Sequence, residues 1–84
     1  MNTAFIGGGV MAEAMFSRAL ANGIFNPKQI TISEPIEERR NQIADQYGVS
    51  VTEENKKAVD RASFIVISVK PQQLKNVYED LEGY

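Results

Sequence analysis

The 84 residues carry a net charge of −2, with 43% hydrophobic and 24% charged side chains, the composition of one small globular domain and too little chain for two. The absence of cysteine and histidine excludes disulfides, thiolate or imidazole metal sites and histidine-based catalysis, so no metal is expected. The charge gives no bulk attraction to nucleic acid or an anionic membrane; Arg39-Arg40 and Lys56-Lys57 stand beside acids and read as solvated helix faces.

In chain order, Thr3-Ala4-Phe5-Ile6 predicts a buried strand and Gly7-Gly8-Gly9 a tight turn. Met11, Ala12, Met15, Phe16, Ala19 and Leu20 then fall at the spacing of an amphipathic helix. The opening apolar run is short, follows no basic region and leads straight into the glycines, so neither a secretory signal nor a membrane span is expected, and the localisation expected is cytoplasmic. Asn22-Gly23 predicts the helix stop and Asn26-Pro27 a turn. The alternating Gln29-Ile30-Thr31-Ile32-Ser33 predicts a second strand, ended by Glu34-Pro35. Proline at a first helical position, Glu37 and Glu38 in the first turn, and Ile36, Ile43, Ala44 and Tyr47 at helical intervals predict a second helix that Gly48 closes.

Val49-Ser50-Val51 reads as a short third strand, followed by Thr52 as N-cap of a short helix that buries Ala58 and Val59. Phe64-Ile65-Val66-Ile67-Ser68-Val69 is nearly continuous in its apolarity, as expected of a parallel strand covered on both faces. After Lys70-Pro71, the residues Leu74, Val77, Tyr78 and Leu81 give a last helix its apolar stripe. This βαβαβαβα order predicts an α/β fold, with a parallel sheet, right-handed crossovers and helices on both faces.

The chemistry concentrates at the glycines. Gly7-x-Gly9-x-x-Ala12 fits G-x-G-x-x-G/A, in which the first glycine makes the turn, the second admits a pyrophosphate and the small third residue lets helix lie on strand. The helix N-terminus adds N–H groups and a partial positive charge. This is the fingerprint of a Rossmann-type domain binding NAD or NADP, for which strand order 3-2-1-4 is expected, with ligand where the glycine turn meets Val69-Lys70-Pro71. Glu34 ends the second strand, where a carboxylate accepts from the adenosine ribose; the alternative is an acid merely preceding a helix. Ser33 with Arg39 or Arg40 offers a competing site for the 2′-phosphate of NADP, so the choice of cofactor stays open.

Phe5-Ile6-Gly7-Gly8-Gly9-Val10-Met11-Ala12, then Val51-Thr52-Glu53-Glu54-Asn55, then Val66-Ile67-Ser68-Val69-Lys70-Pro71-Gln72, together resemble the amino-terminal part of the pyrroline-5-carboxylate reductases, over essentially the whole chain. The coenzyme F420-dependent NADP reductases share the first motif and less of the rest. The resemblance implies that Gly7, Gly9 and the backbone of Val10 and Met11 bind the cofactor pyrophosphate, that Asn55 lies near its adenosine side, and that Val69, Lys70 and Pro71 line its nicotinamide side. Structural alternatives stand beside these: Asn55 as part of the capping around Thr52, Lys70 as a solvated strand end, and Pro71 as the start of the last helix. That family usually has alanine where Gly8 stands, a change expected to loosen the turn without altering the cradle, and NADP-preferring members often have arginine where Pro35 stands.

The resemblance further implies that residues 1–84 are a partial NAD(P)-binding domain, with the helical domain that makes the homo-oligomer and completes the site for a small imine substrate lying elsewhere. Catalytic residues are then not expected within this stretch, which alone should not turn over substrate. A non-catalytic dinucleotide-binding regulatory module and a different Rossmann reductase are the alternatives.

Overall fold

The computed structural model describes residues 2–82; of the expected domain over 1–84, Met1, Gly83 and Tyr84 lie outside the described residues. The elements are β1 (Thr3–Ile6), α1 (Val10–Ala21), one 3-10 turn (Pro27–Gln29), β2 (Ile30–Ser33), α2 (Glu37–Tyr47), β3 (Ser50–Thr52), α3 (Asn55–Val59), β4 (Phe64–Ile67) and α4 (Pro71–Asp80). All strand pairs are parallel and the sheet order is β3-β2-β1-β4, as the sequence predicts. In register, Ile6 lies between Ser33 of β2 and Ile67 of β4, so the carboxyl ends of the three strands and the loops that follow them meet at one edge.

Strand alternation sends β1 side chains to two cores. Phe5 joins Ala12, Phe16, Ile30, Ile32, Ile43 and Val49 beneath α1 and α2, while Ala4 and Ile6 join Ala58, Val59 and Val77 beneath α3 and α4. Gly48 takes φ +71° and ends α2 in the left-handed conformation that glycine adopts without a Cβ clash.

Several element edges differ from the sequence expectation, each for a local reason. The second helix begins at Glu37, not at Pro35, because Glu34 Oε2 accepts from the Ile36 N–H at 2.9 Å and Arg40 donates to the carbonyls of Glu34 and Pro35. Ile36 is consequently outside the helix and 61% exposed rather than part of its apolar face. Thr52 is not an N-cap: it ends β3, and its hydroxyl accepts from the Glu54 N–H at 3.1 Å, a Thr turn that delays α3 to Asn55 with Glu54 before it. Val49 precedes β3 but is buried all the same. Gln29 closes the 3-10 turn, its side chain accepting from the Asn26 N–H, so β2 starts one residue later.

On α1, Ala12 and Phe16 are buried while Met11 and Met15 face outward. On α4, Val77 is buried and Tyr78 is exposed. The fourth strand ends at Ile67, with Ser68 and Val69 in the following loop. Among the described residues it forms an edge of the sheet, with Phe64 and Ile65 about half exposed, rather than a strand covered on both faces.

Candidate dinucleotide site

The glycine turn is built by close approach of two loops. Gly7 has φ +102°, and a Cβ there would lie 2.7 Å from the Ser68 carbonyl oxygen and 3.1 Å from Val69 Cγ1, so only glycine suits both the backbone and the space. The Gly7 N–H continues the ladder to the Ser33 carbonyl at 2.8 Å, and the Ser68 N–H reaches the Ile6 carbonyl at 2.9 Å. The Ser68 hydroxyl lies 3.3 Å from the carbonyls of both Ile6 and Gly7. These contacts join the turn to the loops after β2 and β4.

Gly8 is buried, and its backbone is held from both sides. Glu34 Oε1 accepts from the Gly8 N–H at 3.0 Å, and Arg39 Nε donates to the Gly8 carbonyl at 2.6 Å. A Cβ at Gly8 would meet Ile43 Cδ1 at 2.9 Å and Glu34 Oε1 at 3.2 Å. The expectation that Gly8 only loosens the turn is therefore corrected: its missing Cβ makes room for Ile43 and the Glu34 carboxylate. Gly9 is different, since a Cβ there would meet nothing within 4 Å. It precedes α1 with no side-chain cap, leaving the first N–H groups of the helix without intrahelical partners.

An open cleft of about 620 Å³ runs along this edge, a volume within the usual range for small-ligand sites. It brings together Gly7, Gly9, Ser33, Glu34, Asn55, Val69 and Lys70 of the residues singled out from sequence. Val10, Met11 and Pro71 do not line it: Val10 and Met11 open α1 at 85% and 72% exposure, and Pro71 opens α4. The Ser33 hydroxyl donates to Asn55 Oδ1, so Asn55 ties the end of β2 to α3 rather than capping around Thr52. Lys70 is exposed and precedes α4, where the Gln73 N–H bonds its carbonyl at 2.8 Å.

The sequence reading missed Ser68, Gln73, Asn76 and Asp80, which also line the cleft. The last three recur at i, i+3 and i+7 of α4, so a polar stripe beside the apolar one was the available signal. It also missed what lies behind the turn. Arg39 pairs with Glu13 of α1 at 2.7 Å, and the Tyr47 hydroxyl donates to the other Glu13 oxygen. That hydroxyl, and then Arg39, hold the Glu13 carboxyl below the usual carboxylate range, while the hydrogen bond to Glu13 pushes the Tyr47 phenol up. Among the described residues no cluster of acids suits a metal ion, and no helix is long and apolar enough to cross a membrane.

Comparison with known proteins agrees with this geometry. A family model described as NADP oxidoreductase, coenzyme F420-dependent, matches residues 2–84. The pyrroline-5-carboxylate reductase of Synechocystis sp. is 38% identical over 78 residues, covering 93% of this chain and 29% of that protein. Its counterpart in Pseudomonas aeruginosa is 41% identical over 78 residues, again 93% of this chain and 28% of the relative. The solved structure of a pyrroline-5-carboxylate reductase from Coxiella burnetii matches with a TM-score of 0.91 at 34% identity, covering 95% of this chain and 29% of that one. The chain thus spans less than a third of the length of these relatives. With the parallel 3-2-1-4 sheet and a glycine turn opening onto its carboxyl edge, the chain belongs to the coenzyme F420-dependent NADP oxidoreductase family.

Proposed function

We infer that the chain is the dinucleotide-binding part of a pyrroline-5-carboxylate reductase, holding NADH or NADPH for the reduction of 1-pyrroline-5-carboxylate to proline in proline biosynthesis. The observation that carries this reading is Gly9: it lines the cleft, has empty space where a Cβ would project, and stands at the uncapped start of α1. Backbone N–H groups at such a position suit a pyrophosphate. The nicotinamide, when bound, supplies a hydride to the imine carbon while the imine nitrogen takes a proton. The chain's own residues bind and orient. Gly7, Gly9, Val10 and Met11 hold the pyrophosphate, Ser33, Glu34 and Asn55 serve the adenosine end, and Val69, Lys70 and Pro71 serve the nicotinamide end. On the same reading the whole enzyme is a cytoplasmic homo-oligomer.

Fluorescence titration of the chain with NADH and NADPH tests this. Gly9→Val fills the empty space and is expected to abolish binding; unchanged affinity would remove the reading. Because Glu34 puts a carboxylate at the adenosine end and Arg39 and Arg40 both bond backbone carbonyls, NADH is expected to bind at least as tightly as NADPH. A preference of about tenfold for NADPH would give Ser33 and the arginines the 2′-phosphate instead.

A further inference from the structure

Glu34, Arg39 and Arg40 are the charged groups the sequence offers to the ribose end of a dinucleotide, yet Glu34 and Arg39 both bond the backbone of Gly8 in the glycine turn. Arg39 is about one-fifth exposed, and all three of its guanidinium nitrogens have partners: Nε on the Gly8 carbonyl, Nη2 on Glu13, and Nη1 on Gln42 at 3.0 Å. Glu34 bridges the N–H groups of Gly8 and Ile36. The peptide group before Gly8 is therefore held by its N–H and the one after it by its carbonyl.

We propose that Arg39 and Glu34 form a clamp on Gly8 that aims the Gly9 N–H at the phosphate position, making Arg39 a positioning residue and not a ligand of the 2′-phosphate. A trans peptide points its N–H opposite its carbonyl. Fixing the Gly8 carbonyl on Arg39 thus turns the Gly9 N–H away from α2, and among the described residues that N–H has no partner. Glycine makes the arrangement necessary as well as feasible. A Gly7-Gly8-Gly9 segment has the largest backbone entropy the chain can offer, so a donor on it is fixed only if something outside the turn holds it. Gly8 in particular has no Cβ to pack, and the space a Cβ would occupy is taken by the Glu34 carboxylate and Ile43. The role is shared. Glu13 anchors the guanidinium from α1 and is itself bonded by Tyr47, so two helices fix the position of Arg39.

This rests on the dinucleotide reading for the identity of the ligand, and the test separates the two. Amide hydrogen exchange of Gly8, read by NMR on the full chain without ligand, is compared among wild type, Arg39→Lys and Glu13→Gln, alongside titrations with NADH and NADPH. Lysine keeps the cation beside Glu13 but lacks the planar fork that reaches Gly8 and Glu13 together. Arg39→Lys is expected to speed Gly8 exchange about tenfold, with Ile32 unchanged, and to weaken both nucleotides by the same factor. Glu13→Gln, which leaves the Nε contact in place, is expected to do much less. Loss confined to NADPH would make Arg39 a phosphate ligand and overturn the clamp. Unchanged Gly8 exchange would overturn it too, and so would global unfolding of Arg39→Lys by circular dichroism, which would assign the residue to stability at large. A wild type that binds neither nucleotide would defeat the dinucleotide reading, while Gly8 exchange still decides the clamp.

Discussion

Beneath α1 and α2, Phe5, Phe16 and Tyr47 pack edge to face, with ring centroids 5.7 and 5.0 Å apart, and Ile30, Ile32 and Ile43 close the space around them. Beneath α3 and α4, the buried set is Ala4, Ile6, Ala58, Val59 and Val77, covered by a helix of only 5 residues and one of 10. Apolar burial scales with the area removed from water, so the first face, which holds the larger buried side chains, is expected to contribute more to stability than the second. The cleft lies between them. Its glycine wall is fixed to the heavily packed face through Gly8, Arg39 and Ile43, and its other wall, Val69, Lys70 and α4, belongs to the lighter one. On the reading proposed above, the phosphate, whose shape is constant, is assigned to the heavily packed side and the nicotinamide to the lighter one, which is expected to open locally at lower cost.

The two faces should differ most at Phe16. Phe16→Ala empties a fully buried position between two aromatic rings and is expected to cost about 3–5 kcal/mol. Val77→Ala, at the buried position α4 gives to the lighter core, should cost about 1–2 kcal/mol. Urea unfolding of the two variants measures both; equal losses would mean that the faces are equally loaded.

An effect smaller than that at Phe16 is expected where the walls touch. Gly7→Ala places a Cβ 2.7 Å from the Ser68 carbonyl at a φ of +102°, so the backbone strain and the clash act together. A loss of about 1–3 kcal/mol is expected, with weaker NADH binding because the loops after β1 and β4 must part. Titration and urea unfolding on the same sample report the two consequences. Binding unchanged at reduced stability would show that the walls do not work as a pair.

The fold was legible because its signals are periodic: alternating or continuous apolar strands, helices at 3.6-residue spacing and glycines between them. The glycine turn was legible because it is contiguous. What was not legible depends on pairs distant in sequence. Nothing near Arg39 says that it bonds Gly8, and nothing near Glu13 says that it meets Tyr47; these partners are 31 and 34 residues apart. The misplaced start of α2 and the misassigned Thr52 have the opposite origin. There the sequence supplied a local start signal, Pro35 for α2 and Thr52 for α3, and a still more local contact, Glu34 with the Ile36 N–H or Thr52 with the Glu54 N–H, held those residues outside the helix.

The smallest expected effect lies in the polar contacts that connect the packed face to the turn, and its sign follows from the two titrating partners. Glu13 has a folded pKa below its unfolded one, so its contribution is present above the ordinary glutamate range and lost as pH falls through the lowered value. Tyr47 has a folded pKa above its unfolded one, so its contribution is complete below the ordinary tyrosine range and lost as pH rises through the raised value. Stability should therefore form a plateau across neutral pH with a shoulder at each end. Tyr47→Phe keeps the ring against Phe16 but removes the hydroxyl, whose hydrogen bond to Glu13 is the largest cause of both shifts. In urea midpoints measured against pH, the variant is expected to lose the alkaline shoulder and to shrink the acid one, where Arg39 still pairs with Glu13. Superimposable profiles would mean that Tyr47 serves this face through its ring alone and contributes nothing to holding Glu13 beneath the turn.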